Sequence, residues 1–138
     1  MIAIVDTGPL VAAADSKDPD HKACIDVLSR AGLQLVVGGL AVGEATYFIG
    51  SRLGPRGEAG FLRGLRDVDV EAPAGEDWTR IAELVEQYRD FPLGGTDASI
   101  VALAERLSAP AIVTLDRRHF GAVRPRHREA FLLLPDEA

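Results

Sequence analysis

The Ile-Ala-Ile-Val segment at residues 2–5 constrains the fold of this chain more than any other feature of the sequence. It is short, continuously apolar and rich in β-branched residues, which predicts a strand that is buried on both faces. Such strands are typical of parallel sheets that helices cover on each side. Four further apolar segments predict strands at residues 33–37, 68–72, 111–116 and 130–134.

The segments between these predicted strands carry apolar residues at helical spacing. In residues 76–89, four apolar side chains fall at i, i+3, i+4 and i+7, which is the pattern of an amphipathic helix. Further helices are predicted after Pro9 and at residues 18–32, 40–53, 56–66 and 94–107. Thr96 is the expected N-cap of the last of them. Strands that alternate with helices predict an α/β fold, with one domain over residues 1–138 and a parallel sheet flanked by helices on both faces.

The length, the cysteine content and the distribution of apolar residues exclude several classes of protein. A chain of 138 residues can bury one core without disulfides or a structural metal. Cys24 has no second cysteine to pair with, which suits a reducing compartment. No apolar run approaches the roughly 18 residues of a membrane span, and the N-terminus lacks the basic segment of a signal peptide. We therefore expect a cytoplasmic protein with no membrane association.

Charge is distributed unevenly along the chain. The formal net charge of −6 argues against a nucleic-acid partner, because phosphate binding usually requires a basic surface. Residues 117–128, which we call the arginine segment, have the opposite character and contain no acidic residue. Their five arginines are Arg117, Arg118, Arg124, Arg126 and Arg128. On charge alone, the favoured interpretation of this segment is a solvated surface loop.

Four acidic residues occupy positions that a parallel sheet would bring together. Asp6 directly follows the first predicted strand, and Asp116 ends the fourth. Asp97 begins a predicted helix, and Glu44 lies early in the helix after the second strand. Strand ends and helix starts of this kind meet at the carboxyl edge of a sheet, where α/β proteins have their sites. Clustered carboxylates repel one another, and an oxygen-only ligand set favours a hard cation, Mg²⁺ or Mn²⁺, over zinc.

Each of these acids also has an ordinary structural explanation. Asp97 could serve only the helix dipole, and Asp6 could be a turn residue before glycine and proline. Asp116 could form a local ion pair with the arginines that follow it, and Glu44 could be one of the many acids found on helix surfaces. Spacing alone leaves a metal site and these structural roles as alternatives.

Four motifs in the sequence resemble those of the PIN domain family, and more narrowly those of the VapC toxins of bacterial toxin–antitoxin pairs. They are VDTGPL at residues 5–10, Glu44, TDASIVALA at residues 96–104 and TLDRRHF at residues 114–120. Each motif alone is weak, but the four occur in order on matching elements. The resemblance covers essentially the whole chain.

The resemblance implies a five-stranded parallel sheet in the order 3-2-1-4-5 and a homodimer. It also implies an endoribonuclease that hydrolyses RNA with Mg²⁺ or Mn²⁺ and that a cognate VapB-type antitoxin inhibits. The residues that it assigns to the site are Asp6, Glu44, Asp97 and Asp116 around the metal, with Thr7 and Thr114 lining it. Many relatives carry a further acid at the position of Arg118, so we expect one tightly bound ion. The arginine segment would then contact RNA phosphates beside the acidic pocket.

A PIN-like protein that binds RNA or another partner without cleaving it is the alternative from another functional class. The carboxylates argue against it, because they would repel phosphate and serve no purpose in RNA binding. Apolar positions on the helix with Tyr47, Phe48 and Ile49 could form part of an antitoxin or dimer surface, although core packing is the commoner role. The three histidines, His119 among them, show no pairing in the sequence, so surface or packing roles are expected for each.

Overall fold

The computed structural model describes residues 1–136, which contain a five-stranded sheet. The strands are β1 (Ile2–Val5), β2 (Gln34–Gly38), β3 (Val70–Glu71), β4 (Ala111–Val113) and β5 (Leu132–Leu134). They lie in the order β3-β2-β1-β4-β5, and every neighbouring pair is parallel. The predicted parallel sheet and its strand order are therefore confirmed.

The described residues also form six helices and one 3₁₀ turn. The helices are α1 (Thr7–Ala14), α2 (His21–Leu28), α3 (Gly39–Gly64), α4 (Gly75–Gln87), α5 (Gly95–Leu107) and α6 (Arg117–Ala122), and the 3₁₀ turn is Leu65–Asp67. Within residues 1–136, none of these helices combines the length and the apolar character that a membrane crossing requires.

Helices cover both faces of the sheet, as predicted. On one face, Ile4 and Ile112 belong to a buried cluster with residues of α4 and α5, among them Leu84. On the other face, Val5 belongs to a second cluster with Val27 of α2. Successive side chains of a strand point to opposite faces, so the two clusters form separate layers of the core. Apolar side chains therefore cover both faces at the centre of the sheet, and the buried polar residues Asp6, Thr7 and Thr114 lie at the carboxyl ends of β1 and β4.

The predicted break between helices 40–53 and 56–66 is present as a kink in α3. Gly54 has φ 72° and ψ −175°, a non-helical conformation that suits glycine, so the two predicted helical segments lie on either side of it. One helix differs from the expectation. Helix α6 lies where the charge pattern favours a surface loop. The Asp116 carboxylate caps its first turn and Phe120 is buried beneath it. The loop interpretation is therefore wrong for the first half of the arginine segment.

The start of α5 also corrects a prediction. Gly94, with an extended backbone, is the N-cap residue, so Thr96 lies inside the first turn and is not the N-cap. The Thr96 carbonyl accepts a hydrogen bond from Ser99 Oγ at 2.6 Å. Asp97 is consequently the third residue of the helix, where a carboxylate still interacts favourably with the helix dipole.

A partly buried ion network ties the chain after α6 to α4 and α5. The Glu105 carboxylate accepts two hydrogen bonds from the Arg80 guanidinium, at 2.8 and 2.9 Å. It also accepts the backbone N–H of Arg126 at 2.8 Å, while the Arg126 guanidinium contacts Glu83 at 3.1 Å. Part of the arginine segment is therefore fixed against the two helices by charge.

Candidate functional site

Asp6 lies at the centre of the carboxyl edge of the sheet, between β1 and β4. Its backbone N–H donates to the Val113 carbonyl at 2.9 Å. Its carboxylate accepts the Thr7 backbone N–H at 2.7 Å and the Thr114 hydroxyl at 2.8 Å. From β1 the chain continues to β2 on one side, while β4 lies on the other, so Asp6 marks the point at which strand order reverses. Ligand sites of α/β proteins form at such points.

One cavity of about 560 Å³ opens at this edge and contains all four predicted acids. They arrive from four separate segments of the chain, after β1, on α3, on α5 and before α6. Their exposure differs, since Asp6 is buried, Asp97 and Asp116 are half-buried and Glu44 is exposed. The residues that line the cavity are Asp6, Thr7, Gly8, Val11, Asp18, Asp20, Glu44, Phe48, Arg52, Asp97, Leu115 and Asp116.

Burial and neighbouring negative charge raise the pKa of two carboxyl groups in this cavity, those of Asp6 and Asp97. Burial raises the pKa of Asp6 from 3.8 to about 6, and the charges of Asp97 and Glu44 add to this although Thr114 and Thr7 donate hydrogen bonds to it. The pKa of Asp97 is also raised, first by burial and then by the charge of Asp116. The cavity therefore concentrates negative charge that a bound cation would neutralise.

This electrostatic penalty predicts that Asp6→Asn stabilises the metal-free protein at pH 8 by about 1–2 kcal/mol. The folded protein keeps the Asp6 proton up to about pH 6, whereas the ordinary pKa is 3.8, so wild-type stability falls as pH rises between these values. Asparagine removes that fall, but it has one acceptor oxygen where the Asp6 carboxylate accepts from both the Thr7 N–H and the Thr114 hydroxyl, which limits the gain. Urea unfolding at pH 4 and pH 8 in the presence of a chelator measures it. A variant less stable than wild type at pH 8, or an equal gain at both pH values, would contradict the prediction.

The residues of the cavity fit a hard divalent cation in their chemistry. The donors are carboxylate oxygens, and the Thr7 hydroxyl on the cavity wall is buried and has no hydrogen-bond partner among the described residues. No group of three or more His, Cys, Asp or Glu side chains within residues 1–136 is arranged so that it could already hold a metal ion. The acids therefore share a cavity without forming a finished coordination cage.

Asp116 is held by the residue three positions after it. Its Oδ1 accepts the His119 backbone N–H at 3.0 Å, and its Oδ2 lies 2.8 Å from His119 Nδ1. The Asp116 backbone N–H donates to Thr114 Oγ1 at 2.9 Å, so Thr114 links Asp116 to Asp6. This contact of His119 was not predicted from the sequence. The spacing of a helix-capping acid and a histidine three residues later was the available signal.

None of the five arginines of the arginine segment lines the acidic cavity, and each contacts another part of the protein. Three of them contact backbone carbonyls: Arg117 those of Leu133 and Pro135, Arg124 that of Glu129 and Arg128 that of Ala130. Arg118 contacts the Phe91 ring, and Arg126 contacts the Glu83 carboxylate. The role of these five arginines in RNA binding stays a prediction.

An arginine that sequence analysis did not single out, Arg52 of α3, lines the cavity. Its guanidinium contacts Asp18 at 2.7 Å and Asp15 at 3.4 Å, and the hydrogen bond to Asp18 lowers the pKa of that carboxyl. Arg52 and Asp18 are 34 positions apart, and only the packing of α3 against the chain between α1 and α2 brings them together. Arg52 and Asp18 thus line the cavity as an ion pair, whereas no described arginine or lysine forms an ion pair with the four predicted acids.

The apolar positions of α3 divide between the core and the surface. Ile49 is fully buried, so core packing applies to it. Tyr47 and Phe48 are 71% and 43% exposed, and their rings lie edge to face with centroids 5.6 Å apart. Because Phe48 also lines the acidic cavity, an exposed aromatic surface borders the site directly.

Comparison with known proteins agrees with this fold. The family model described as PIN domain matches residues 3–124. Ribonuclease VapC26 of Mycobacterium tuberculosis is 35% identical over 134 residues, which cover 96% of this chain and 99% of that protein. Among solved structures, the sarcin–ricin-loop-cleaving toxin VapC20 of Mycobacterium tuberculosis superposes with a TM-score of 0.73 at 18% identity, covering 81% of this chain and 87% of that chain. A toxin–antitoxin complex from Klebsiella pneumoniae gives a TM-score of 0.70 at 16% identity, covering 94% of this chain and 99% of that chain.

Proposed function

The chain belongs to the PIN domain family, and from that premise we propose that it is a divalent-metal-dependent endoribonuclease, the toxin of a toxin–antitoxin pair. The observation that carries the proposal is the single cavity at the strand-reversal point that collects four acids from four segments. The raised pKa values of Asp6 and Asp97 support it, because a cavity that is costly without a cation is suited to binding one. The ribonuclease among its relatives supports RNA as the substrate class.

In this proposal, Asp6, Asp97, Asp116 and Glu44 hold Mg²⁺ or Mn²⁺. The ion would supply a water of lowered pKa and a polarised scissile phosphate. Thr114 fixes the Asp6 carboxylate by hydrogen bonding, and Thr7 offers its free hydroxyl to the cavity wall. Glu44, the exposed member of the set, borders the open side through which the RNA backbone would enter.

We propose one tightly bound ion, because Arg118 stands where many members of the family carry a further acid. The Arg118 guanidinium lies 5.3 Å from the centre of the Phe91 ring, and that ring contacts His119 beside Asp116. Of the five arginines, Arg118 is therefore the one best supported as a phosphate contact near the site. The Arg117 guanidinium, in contrast, donates to two backbone carbonyls.

The proposal is tested by incubating the purified protein with RNA in Mg²⁺ or Mn²⁺ and in excess chelator. We expect cleavage only with the metal, and products with 5′-phosphate and 3′-hydroxyl ends, because metal-activated water attacks the phosphorus. Asp97→Asn, purified in parallel, controls for contaminating nucleases. Equal cleavage in chelator, or 2′,3′-cyclic phosphate ends, would show that the mechanism is wrong.

We also propose that the protein forms a homodimer and that a VapB-type antitoxin inhibits it. The toxin–antitoxin complex with the same fold supports an antitoxin partner, and the exposed rings of Tyr47 and Phe48 supply an apolar surface at the rim of the cavity. A basic antitoxin residue placed among the acids would neutralise them in place of the cation. Metal affinity should then fall when the antitoxin is bound, and an unchanged affinity would contradict this mode of inhibition.

A further inference from the structure

The His119 imidazole lies at the edge of the acidic cavity and binds one of its carboxylates. Both Asp116 oxygens contact His119: Oδ1 accepts the backbone N–H at 3.0 Å, and Oδ2 lies 2.8 Å from the ring nitrogen Nδ1. An ionised carboxylate only accepts hydrogen bonds, so the ring nitrogen at 2.8 Å, Nδ1, carries the proton. Each carboxylate oxygen has a second lone pair, which leaves Asp116 able to bind a cation while His119 holds it.

The His119 ring is itself held on another side. The Phe91 ring contacts it edge to face, with centroids 4.8 Å apart and planes at 80°. Arg118 lies over the same Phe91 ring. Only 19% of the His119 side chain is exposed. Phe91 belongs to the loop that precedes α5, so this packing connects α6 to the helix that carries Asp97.

We propose that His119 is a positioning residue that orients Asp116 for metal binding through its Nδ1–H. The inference rests on the proposed function, since it requires Asp116 to be a metal ligand. Ligating side chains are generally oriented by hydrogen bonds from a second layer of residues, and loss of such a bond costs about 10- to 100-fold in metal affinity. His119 supplies this bond here because it approaches Asp116 from the first turn of α6 and cannot rotate away without losing its contact with Phe91.

Two amide substitutions at position 119 separate this role of Nδ1 from acid–base chemistry at Nε2, because they place an N–H donor at different distances from the backbone. An asparagine at position 119 places an amide N–H close to the position of Nδ1, whereas glutamine carries its amide one bond further from the backbone, near the position of Nε2. His119→Asn should therefore keep the orientation of Asp116, and His119→Ala and His119→Gln should lose it. The backbone N–H bond to Asp116 Oδ1 remains in all three variants.

The experiment is a calorimetric titration of the full chain with Mn²⁺. We expect wild type and His119→Asn to bind within about threefold of each other, and His119→Ala and His119→Gln to bind about 10- to 100-fold more weakly. His127→Ala is the matched control, because its ring hydrogen-bonds the Ala109 carbonyl at 2.7 Å and does not line the acidic cavity, so wild-type affinity is expected. Thermal unfolding of each variant verifies that it is folded.

A second measurement needs no metal. Nitrogen-15 NMR of the metal-free protein should show that the His119 ring carries its proton on Nδ1, the less common tautomer of a free imidazole, and that Asp116→Asn changes this signal. Equal affinity of wild type and His119→Ala, equal loss in His119→Asn and His119→Ala, or a proton on Nε2 alone would each overturn the inference. If wild type itself binds no Mn²⁺, the proposed function fails as well, which separates the two outcomes.

Discussion

We expect Asp97→Asn to lower RNA cleavage on the order of 1,000-fold while the protein stays folded. Asp97 is half-buried on the cavity wall, and its pKa is raised by burial and then by the charge of Asp116. Asparagine has nearly the same shape but no negative charge, so the cation would lose a ligand in a site where charge is weakly screened. Because the substitution also relieves repulsion, the helix-dipole interaction that it removes, about 0.3–1 kcal/mol, is largely offset. The measurement is the initial rate of RNA cleavage at saturating Mg²⁺, together with growth after induction.

Glu76→Gln is the matched control for Asp97→Asn. Glu76 is also an acid in the first turn of a helix, α4, but it lies outside the acidic cavity. Its replacement removes a comparable helix-dipole interaction and should leave the cleavage rate unchanged. Growth arrest that persists in Asp97→Asn, with RNA binding retained, would instead support the alternative of a binding protein that does not cleave.

We expect Glu105→Ala to lower the free energy of unfolding at pH 7 by about 2–4 kcal/mol. The side chains of Arg80 and Glu105 are only 13% and 10% exposed, so the substitution leaves a poorly hydrated guanidinium without its two hydrogen bonds. It also removes the acceptor of the Arg126 backbone N–H. Urea denaturation measures the loss. Glu83→Ala is the control, because Glu83 is 50% exposed and its contacts with Arg80 and Arg126 should contribute less than about 1 kcal/mol.

The Glu105 contribution should also depend on pH. Burial acts to raise the pKa of Glu105, but hydrogen bonds from Arg80 and from the Arg126 backbone outweigh it and lower the pKa below 4.5. The stabilisation is therefore complete above the ordinary value and is lost as pH falls through the lowered one. The difference between wild type and Glu105→Ala should shrink below pH 4. A Glu105→Ala protein no less stable than Glu83→Ala would show that the network does not stabilise the fold.

The central elements of the fold were predictable because their signals are local. The strands β1 and β4 are buried on both faces, so their sequences are continuously apolar and rich in β-branched residues. That pattern is typical of the inner strands of a parallel sheet. The edge strand β3 has only two residues, whereas five were predicted. The prediction counted residues that favour strands, but β3 pairs with a neighbouring strand on one side only, so fewer of its residues are held in the sheet. Helix α6 was missed because its stability comes from the Asp116 cap and from burial of Phe120, neither of which shows in a charge pattern.

The site divides in the same way. The proximity of the acids was predictable because strand ends and helix starts in a parallel sheet share one edge, so Asp6 and Asp97 could be placed near each other from chain order. Their assignment to a metal site came from the resemblance to the PIN domain family, because spacing alone left their ordinary structural roles open. Arg52 and Asp18 could not, because their pairing depends on how α3 packs against a connecting loop. The sequence could have indicated the contact of His119 with Asp116, because the two residues are three positions apart at the start of one helix. The contact also depends on the side-chain rotamer of His119, which packing against Phe91 selects and which the sequence does not show.

The bond from Thr114 to Asp6 has a consequence for synthesis of the protein. It joins residues 108 positions apart, one directly after the first strand and one directly after the fourth, and Asp116 lies two residues beyond Thr114. A growing chain on the ribosome lacks this half of the cavity until nearly all of its length has been translated. Truncated products that end before β4 should therefore lack both this bond and the acidic cavity.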